Sequence, residues 1–220
     1  MREAKPTWTR CIRRFLDTAY APRCGLCAVL GEGGICSVCF SDFEPFPAGD
    51  EEEGRGEMSP HVRSTAIAFR YEGRASQAVQ RLKYSRVTSL AEEMARLLAE
   101  AFDTSGIPQP DAFVPVPIHW TRWCARGFNQ SELLCAQLKC AEVRSDLLRR
   151  VRATRSQAGL TLEERRTNLR GAFRASAEVK GASLVLVDDV RTSGATAIEC
   201  ARTLLEAGAI DVSLLAFSGA

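Results

Sequence analysis

Apolar positions in this chain fall into two spacings, and the elements follow from them. Leu184-Val185-Leu186-Val187 is an unbroken apolar run, the pattern of a parallel strand covered on both faces. It reads as a strand ending in a short acidic loop, Asp188-Asp189, before a helix begins. Ser64 to Tyr71 reads as another strand, turned at Gly73 into a helix that runs to about Tyr84. Leu90, Met94, Leu97 and Leu98 recur at the i, i+4, i+7, i+8 positions of a one-faced helix. Asp111 to Pro117 predicts a strand stopped by prolines, with a helix from Ser131. Leu160 to Leu169 resumes helical spacing with Arg165 and Arg166 exposed, Ala197 to Ala207 makes a helix ended by Gly208, and Ile210 to Phe217 a last strand. A strand, helix and strand in that order form a βαβ unit, so the expected class is α/β with a mainly parallel sheet.

Between Pro47 and Pro60 the periodicity breaks around Asp50 to Glu53, as in a linker or exposed loop. Two domains are therefore expected, residues 1–60 and residues 61–220, within a chain of 220 residues. The net charge of +2 announces neither nucleic acid nor membrane, but its distribution is uneven. Residues 1–23 carry six basic and two acidic side chains, residues 41–60 one basic and seven acidic, and residues 144–174 nine basic and three acidic. The last of these is a candidate nucleic-acid patch, weighed against a plain solvated face. No run approaches the roughly 18 to 20 apolar residues of a membrane span, and the N-terminus lacks an apolar core followed by a cleavage site. A cytoplasmic protein is expected.

Nine cysteines are many, and the count is odd. Cys11, Cys124, Cys135, Cys140 and Cys200 are scattered, as small packing residues would be. The other four form two C-x-x-C pairs, Cys24 with Cys27 and Cys36 with Cys39, separated by eight residues that include Gly31, Gly33 and Gly34. Two thiolates three positions apart can point inward from a tight turn, and two such turns supply the four sulfurs of a structural zinc. Four protein ligands leave no open coordination position, so a catalytic metal is not expected there. The compact zinc ribbon or knuckle offers a partner surface, and some zinc knuckles bind single strands.

The acidic loop and the segment after it offer a phosphosugar site. Thr192, Ser193, Gly194, Ala195 and Thr196 bring hydroxyls and unshielded N–H groups to a helix N-terminus, where unpaired donors and the macrodipole attract phosphate. Asp188 and Asp189 can accept hydrogen bonds from vicinal hydroxyls of a ribose, or face a Mg2+ held mostly through water. Arg122 and Arg126 lie four apart and share a face if their segment is helical, which suits the paired acceptors of a diphosphate. Lys83 and Tyr84 are a candidate anion contact, although a snorkelling surface lysine is the simpler reading. His119 has no carboxylate partner nearby in sequence and is read as structural or solvent-facing.

The string Leu184 to Thr196 resembles the phosphoribosyl pyrophosphate (PRPP) motif of type I phosphoribosyltransferases, with Ser193 where that group often has threonine. With Pro115-Val116-Pro117, Arg122, the run Arg126-Gly127-Phe128-Asn129-Gln130, then Thr154, Gln157, Arg165, Asn168 and Gly171-Ala172-Phe173, the chain from Cys24 to Phe217 resembles the ComF family. That resemblance implies a four-cysteine zinc module before a type I phosphoribosyltransferase fold. It implies that Asp188 and Asp189 hold the ribose, residues 192–196 the 5′-phosphate, and Pro117, Arg122 and Arg126 with Mg2+ the leaving pyrophosphate; residues 155–168 belong to a hood over the ligand. The implied work is the handling of single-stranded DNA during natural transformation, with DNA-uptake proteins as partners. The basic residues Arg149, Arg150, Arg152 and Arg155 would contact the strand, and Trp8, Trp120 and Trp123 would stack on its bases. A metabolic enzyme moving phosphoribose to a nucleobase or amine, and a non-catalytic PRPP sensor, are the alternatives.

Overall fold

The computed structural model describes residues 22–47, 60–85, 87–154 and 161–220, the side chains of Leu162 and Arg166 excepted. Trp8, Cys11, the segment 48–59, Arg155 and Gln157 lie outside the described residues.

After a four-residue helix α1 (Ser37–Phe40) the chain forms β1 (Thr65–Arg70), α2 (Gly73–Gln80), a π-helical turn (Arg81–Ser85) and α3 (Ser89–Thr104). Then come β2 (Ala112–Pro115), α4 (Trp120–Arg126), α5 (Gln130–Leu134), β3 (Glu142–Val143), β4 (Leu148–Arg150), α6 (Leu162–Leu169), β5 (Phe173–Ala175), β6 (Ser183–Arg191), α7 (Ala195–Glu206) and β7 (Asp211–Gly219). Five strands make one parallel sheet in the order β1-β7-β6-β2-β3. The remaining two, β4 and β5, pair antiparallel in a small separate sheet.

The apolar run in β6 is continuous because both faces of the sheet are covered. Val185 and Val187 join Leu215 and Phe217 of β7 on the face packed by α3. Leu184 and Leu186 join Val212 and Leu214 on the face packed by α7, in the alternation that a strand imposes. Burial on both faces makes β6 and β7 the centre of the molecule, with β1 and β3 at the edges.

Two expectations are corrected. Asp188 and Asp189 stand within the strand, because β6 stays paired with β7 through Arg191↔Gly219. The partner strand is as long as β6 and keeps supplying ladder hydrogen bonds past the acidic pair. Arg165, expected on an exposed face, is half-buried.

Residues 22–47 pack directly on the parallel sheet's α3 face. Cys24, Leu26, Ile35, Cys36, Cys39 and Phe43 share one apolar cluster with Leu90, Met94, Phe69 and Phe217. The Phe43 and Phe69 rings meet edge-on with centroids 5.1 Å apart, and Phe69 lies 5.3 Å from Phe217, so aromatic contacts run from the cysteine segment into the central sheet. The contact is closest at Gly25, where an added Cβ would come within 2.5 Å of Leu90. Leu90 is fully buried, so its side chain would have to repack within the core. Gly25→Ala is therefore expected to destabilise the fold by about 1–3 kcal/mol through overpacking. Urea unfolding followed by tryptophan fluorescence checks this; a midpoint equal to the wild type would show that the cysteine segment is loosely docked.

Candidate functional site: a charged cleft and a cysteine cluster

In a parallel sheet covered on both faces ligands bind at the C-terminal ends of the strands, and the cleft opens at that end of β6. It has a volume of about 490 Å³, and its lining includes Asp188, Asp189, Thr192 and Thr196 together with Pro117, Arg122 and Arg126. Three segments distant in sequence thus converge. Arg122 and Arg126 share one face because their segment is helical, the condition on which that reading depended. His119 is the N-cap of α4, its Nδ1 2.9 Å from Thr121 Oγ1, and is buried: a structural histidine. Gly127, at φ +87°, ends that helix in a left-handed conformation, and Asn129 then caps α5.

Thr192, Ser193 and Gly194 form the turn between β6 and α7, and Ala195 opens the helix. Gly194, the N-cap, sits at φ +70° and brings no side chain to the first turn. Ser193 Oγ is buried with no hydrogen-bond partner among the described residues. A small, partly open space lined by Asp188, residues 190–197 and Leu214 adjoins it. An orphaned hydroxyl beside an uncapped helix start fits a phosphate group.

The electrostatics point the same way. Burial first, then the neighbouring Asp189, pushes the Asp188 carboxyl up to about 7, against the pull of Lys83, the Asp189 N–H and the Ser131 hydroxyl. Asp188 Oδ1 accepts from the Asp189 N–H at 2.9 Å and from Ser131 Oγ at 3.3 Å. Burial, then repulsion from Arg122, lowers the Arg150 guanidinium to about 10. Arg126 stacks over the Tyr84 ring with its guanidinium carbon 5.3 Å from the centroid. Lys83, Arg122, Arg126 and Arg150 face two carboxylates, so the cleft has an excess of positive charge and suits a polyanion.

Two of these residues stand elsewhere than their simpler sequence readings placed them. Lys83 is not a snorkelling surface side chain: its Nζ lies 2.9 Å from Asp189 Oδ1 and its side chain is 20% exposed, so the anion it contacts is a carboxylate of the protein. Arg150, expected at a nucleic-acid surface, lines the cleft instead. Its neighbour Arg152 donates to the carbonyls of Asn168 and Arg170, a bracing role at the end of α6. Arg149 is exposed and sits directly opposite the exposed Arg174 across the β4–β5 pair. No local pattern signalled these outcomes, because each depends on which segment lies opposite.

The four cysteines come together. The sulfurs of Cys24, Cys27, Cys36 and Cys39 lie within 4.8 Å of one another and could hold a metal ion. Cys27 Sγ and Cys36 Sγ are 3.6 Å apart, close to the roughly 3.8 Å separating sulfurs about 2.3 Å from a tetrahedral ion. Burial alone would raise the Cys24 thiol, but N–H groups of Cys36, Cys27 and Leu26 outweigh it and bring the thiol down to about 6. Burial, then the other three sulfurs, pushes Cys39 up to about 12. One thiolate forms readily in the metal-free cluster, and a cation must displace the remaining protons. Of the scattered cysteines, Cys135 and Cys200 are buried, as packing residues, while Cys124 and Cys140 are exposed. No helix among the described residues is long and apolar enough to cross a membrane.

No protein-family model matches the chain. Among curated proteins, it is 36% identical over 214 residues to DNA utilization protein YhgH of Escherichia coli (strain K12), an alignment covering 87% of this chain and 94% of that protein. The figures are the same for DNA utilization protein YhgH of Salmonella typhi. It is also 29% identical over 206 residues to Competence protein F of Haemophilus influenzae, covering 84% of this chain and 90% of that protein.

The raised Asp188 carboxyl has a consequence for stability. An aspartate ordinarily titrates near 3.9; held at about 7 in the fold, it binds its proton more tightly folded than unfolded. Its contribution to stability is present below pH 4 and is lost as pH rises toward 7. Asp188→Asn is expected to leave the melting temperature unchanged at about pH 4 and to raise it by a few degrees at about pH 8. Thermal melts at both values test this, and an equal offset at the two would contradict it.

Proposed function

The chain belongs to the ComF family, and from that premise we propose that it binds PRPP in the cleft at the end of β6 and serves the handling of single-stranded DNA during uptake. One observation carries the PRPP reading: the acidic pair, Thr192, Thr196, Arg122 and Arg126 line one cleft, and the small space beside the orphaned Ser193 hydroxyl shares Asp188, Val190, Thr192 and Thr196 with it. The parallel sheet of order β1-β7-β6-β2-β3 fits the type I phosphoribosyltransferase fold that the family implies.

In this reading the cleft acts by electrostatics and position. Asp188 and Asp189 accept hydrogen bonds from the ribose hydroxyls. Residues 192–196 receive the 5′-phosphate through backbone N–H groups and hydroxyls, with Gly194 allowing close approach of the backbone. Pro117, at the end of β2, turns the chain toward α4, whose Arg122 and Arg126 hold the pyrophosphate. A bound Mg2+ would supply further charge neutralisation at that pyrophosphate. The four cysteines hold structural zinc, and a cytoplasmic location suits a PRPP-binding protein.

The DNA part of the reading rests on the relatives' names, DNA utilization protein and competence protein. On this surface it is supported by the opposed Arg149 and Arg174 and by Trp120 and Trp123, which are 67% and 52% exposed. Cations take phosphates and aromatic faces take bases.

Calorimetry with Mg-PRPP tests the site. Wild-type protein should show saturable binding, and the double variant Asp188→Asn, Asp189→Asn should lose it; heat from the variant equal to the wild type would overturn the assignment. For DNA, Arg149→Glu with Arg174→Glu should weaken binding of a single-stranded oligonucleotide and lower the slope of log affinity against log salt by about 1 to 2. An unchanged slope would remove that surface from the reading. Zinc should be found at one ion per chain by plasma mass spectrometry, and its loss in Cys36→Ser should be accompanied by a lower melting temperature.

A further inference from the structure

An acidic pair at the end of a strand can serve ribose hydroxyls or a divalent cation, and in this cleft a cation belonging to the protein already stands at one of the two carboxylates. Lys83 Nζ is 2.9 Å from Asp189 Oδ1, and the two side chains are 20% and 8% exposed. That separation and burial describe a charge-assisted hydrogen bond shielded from bulk water. Burial by itself would favour neutral lysine, but the attraction of Asp189, and then of Asp188, holds the ammonium more firmly protonated than usual.

The lysine is also fixed from behind. It sits in the π-helical turn Arg81–Ser85, a form that tends to occur at functional sites. Leu82 is fully buried on one side of it. Two residues earlier, Arg81 Nη1 donates to the Gly25 carbonyl, between two cysteine ligands, at 2.7 Å. A turn pinned at both places holds Lys83 toward Asp189 rather than letting it sweep the surface. Mg2+ sheds its water reluctantly and seeks carboxylates; one approaching Asp189 would meet this ammonium and be repelled by it.

We propose that Lys83 is a positioning residue that acts as the resident cation of the acidic pair, so that the cleft accepts a phosphosugar diphosphate without a divalent ion at Asp189. This rests on the PRPP reading of the cleft. Any divalent cation is then confined to the pyrophosphate end, and Asp189 is held in place to meet ribose hydroxyls.

The test uses the full chain without chelator, so that metal at the four cysteines is undisturbed. PRPP is titrated into wild type, Lys83→Met and Lys83→Arg, in divalent-free buffer and again with MgCl2. The expected result is saturable binding by wild type in both buffers, with any gain from Mg2+ no larger than the pyrophosphate end supplies and so smaller than in Lys83→Met. Lys83→Met should bind about tenfold or more weakly without Mg2+, the consequence of leaving a buried carboxylate unpaired, and should recover when Mg2+ takes the vacated place. Lys83→Arg should follow the wild type. A wild type that binds only with Mg2+, with the same dependence in Lys83→Met, overturns the proposal. Failure of PRPP to bind any of the three proteins defeats the PRPP reading instead, and a second measurement then decides the role of Lys83. Titration of Mn2+ followed by electron paramagnetic resonance at about pH 8, above the carboxyl range, should show an added site in Lys83→Met that is absent from wild type and from Lys83→Met with Asp189→Asn. No added site overturns the proposal whatever PRPP does. Circular dichroism verifies folding, and Lys83→Gln replaces Lys83→Met if the latter is unfolded.

Discussion

The constraint on which this molecule depends is the burial of the apolar run Leu184–Val187 of β6. Hydrogen-bonded to β2 on one side and β7 on the other, and covered by apolar side chains on both faces, this run leaves polar chemistry to the ends of the strand, and the cleft opens at the C-terminal one. There the strand does not stop at the apolar run but carries two aspartates along the ladder before the Thr192–Gly194 turn. The carboxylates are consequently held by backbone pairing rather than by a loop. Such rigidity suits groups that must meet a ligand without reorganising.

Charge in the cleft is arranged at some cost to the fold. Asp188 is pushed up by burial and by Asp189, and Arg150 is pushed down by burial and by Arg122, so like charges have been brought together on both sides of the balance. A molecule selected only for stability would avoid this crowding. Lys83 relieves part of it by pairing with Asp189, and a bound polyanion would relieve more by neutralising the arginines.

The cysteine segment is continuous with this site through packing. Its Gly25 carbonyl accepts from Arg81, Arg81 shares a turn with Lys83, and Lys83 meets Asp189. The aromatic contacts from Phe43 through Phe69 to Phe217 tie the same segment to β7, the strand beside the acidic pair. Any metal held by the four sulfurs would therefore brace one wall of the cleft without touching a ligand.

Local physics was enough to reveal the elements and much of the chemistry. The run Leu184–Val187 demanded a doubly covered strand, the i, i+4, i+7, i+8 stripe from Leu90 a helix, and the C-x-x-C pairs a four-sulfur cluster, because each pattern is decided by near neighbours; the common face of Arg122 and Arg126 was conditional on a helix that the structure supplies. The position of Asp188 and Asp189 within the strand was not decided that way, since it depends on β7 extending as far as Gly219 to keep them paired. The same holds for Lys83, legible as a candidate anion contact but not with which anion until β6 is laid opposite its turn, and for Arg150, which belongs to a basic run but turns into the cleft. Sequence by itself determined which groups were available and how each is spaced along its own element. Only the tertiary structure decided which charge meets which, because ion pairing and burial depend on distances between segments that the linear spacing does not contain.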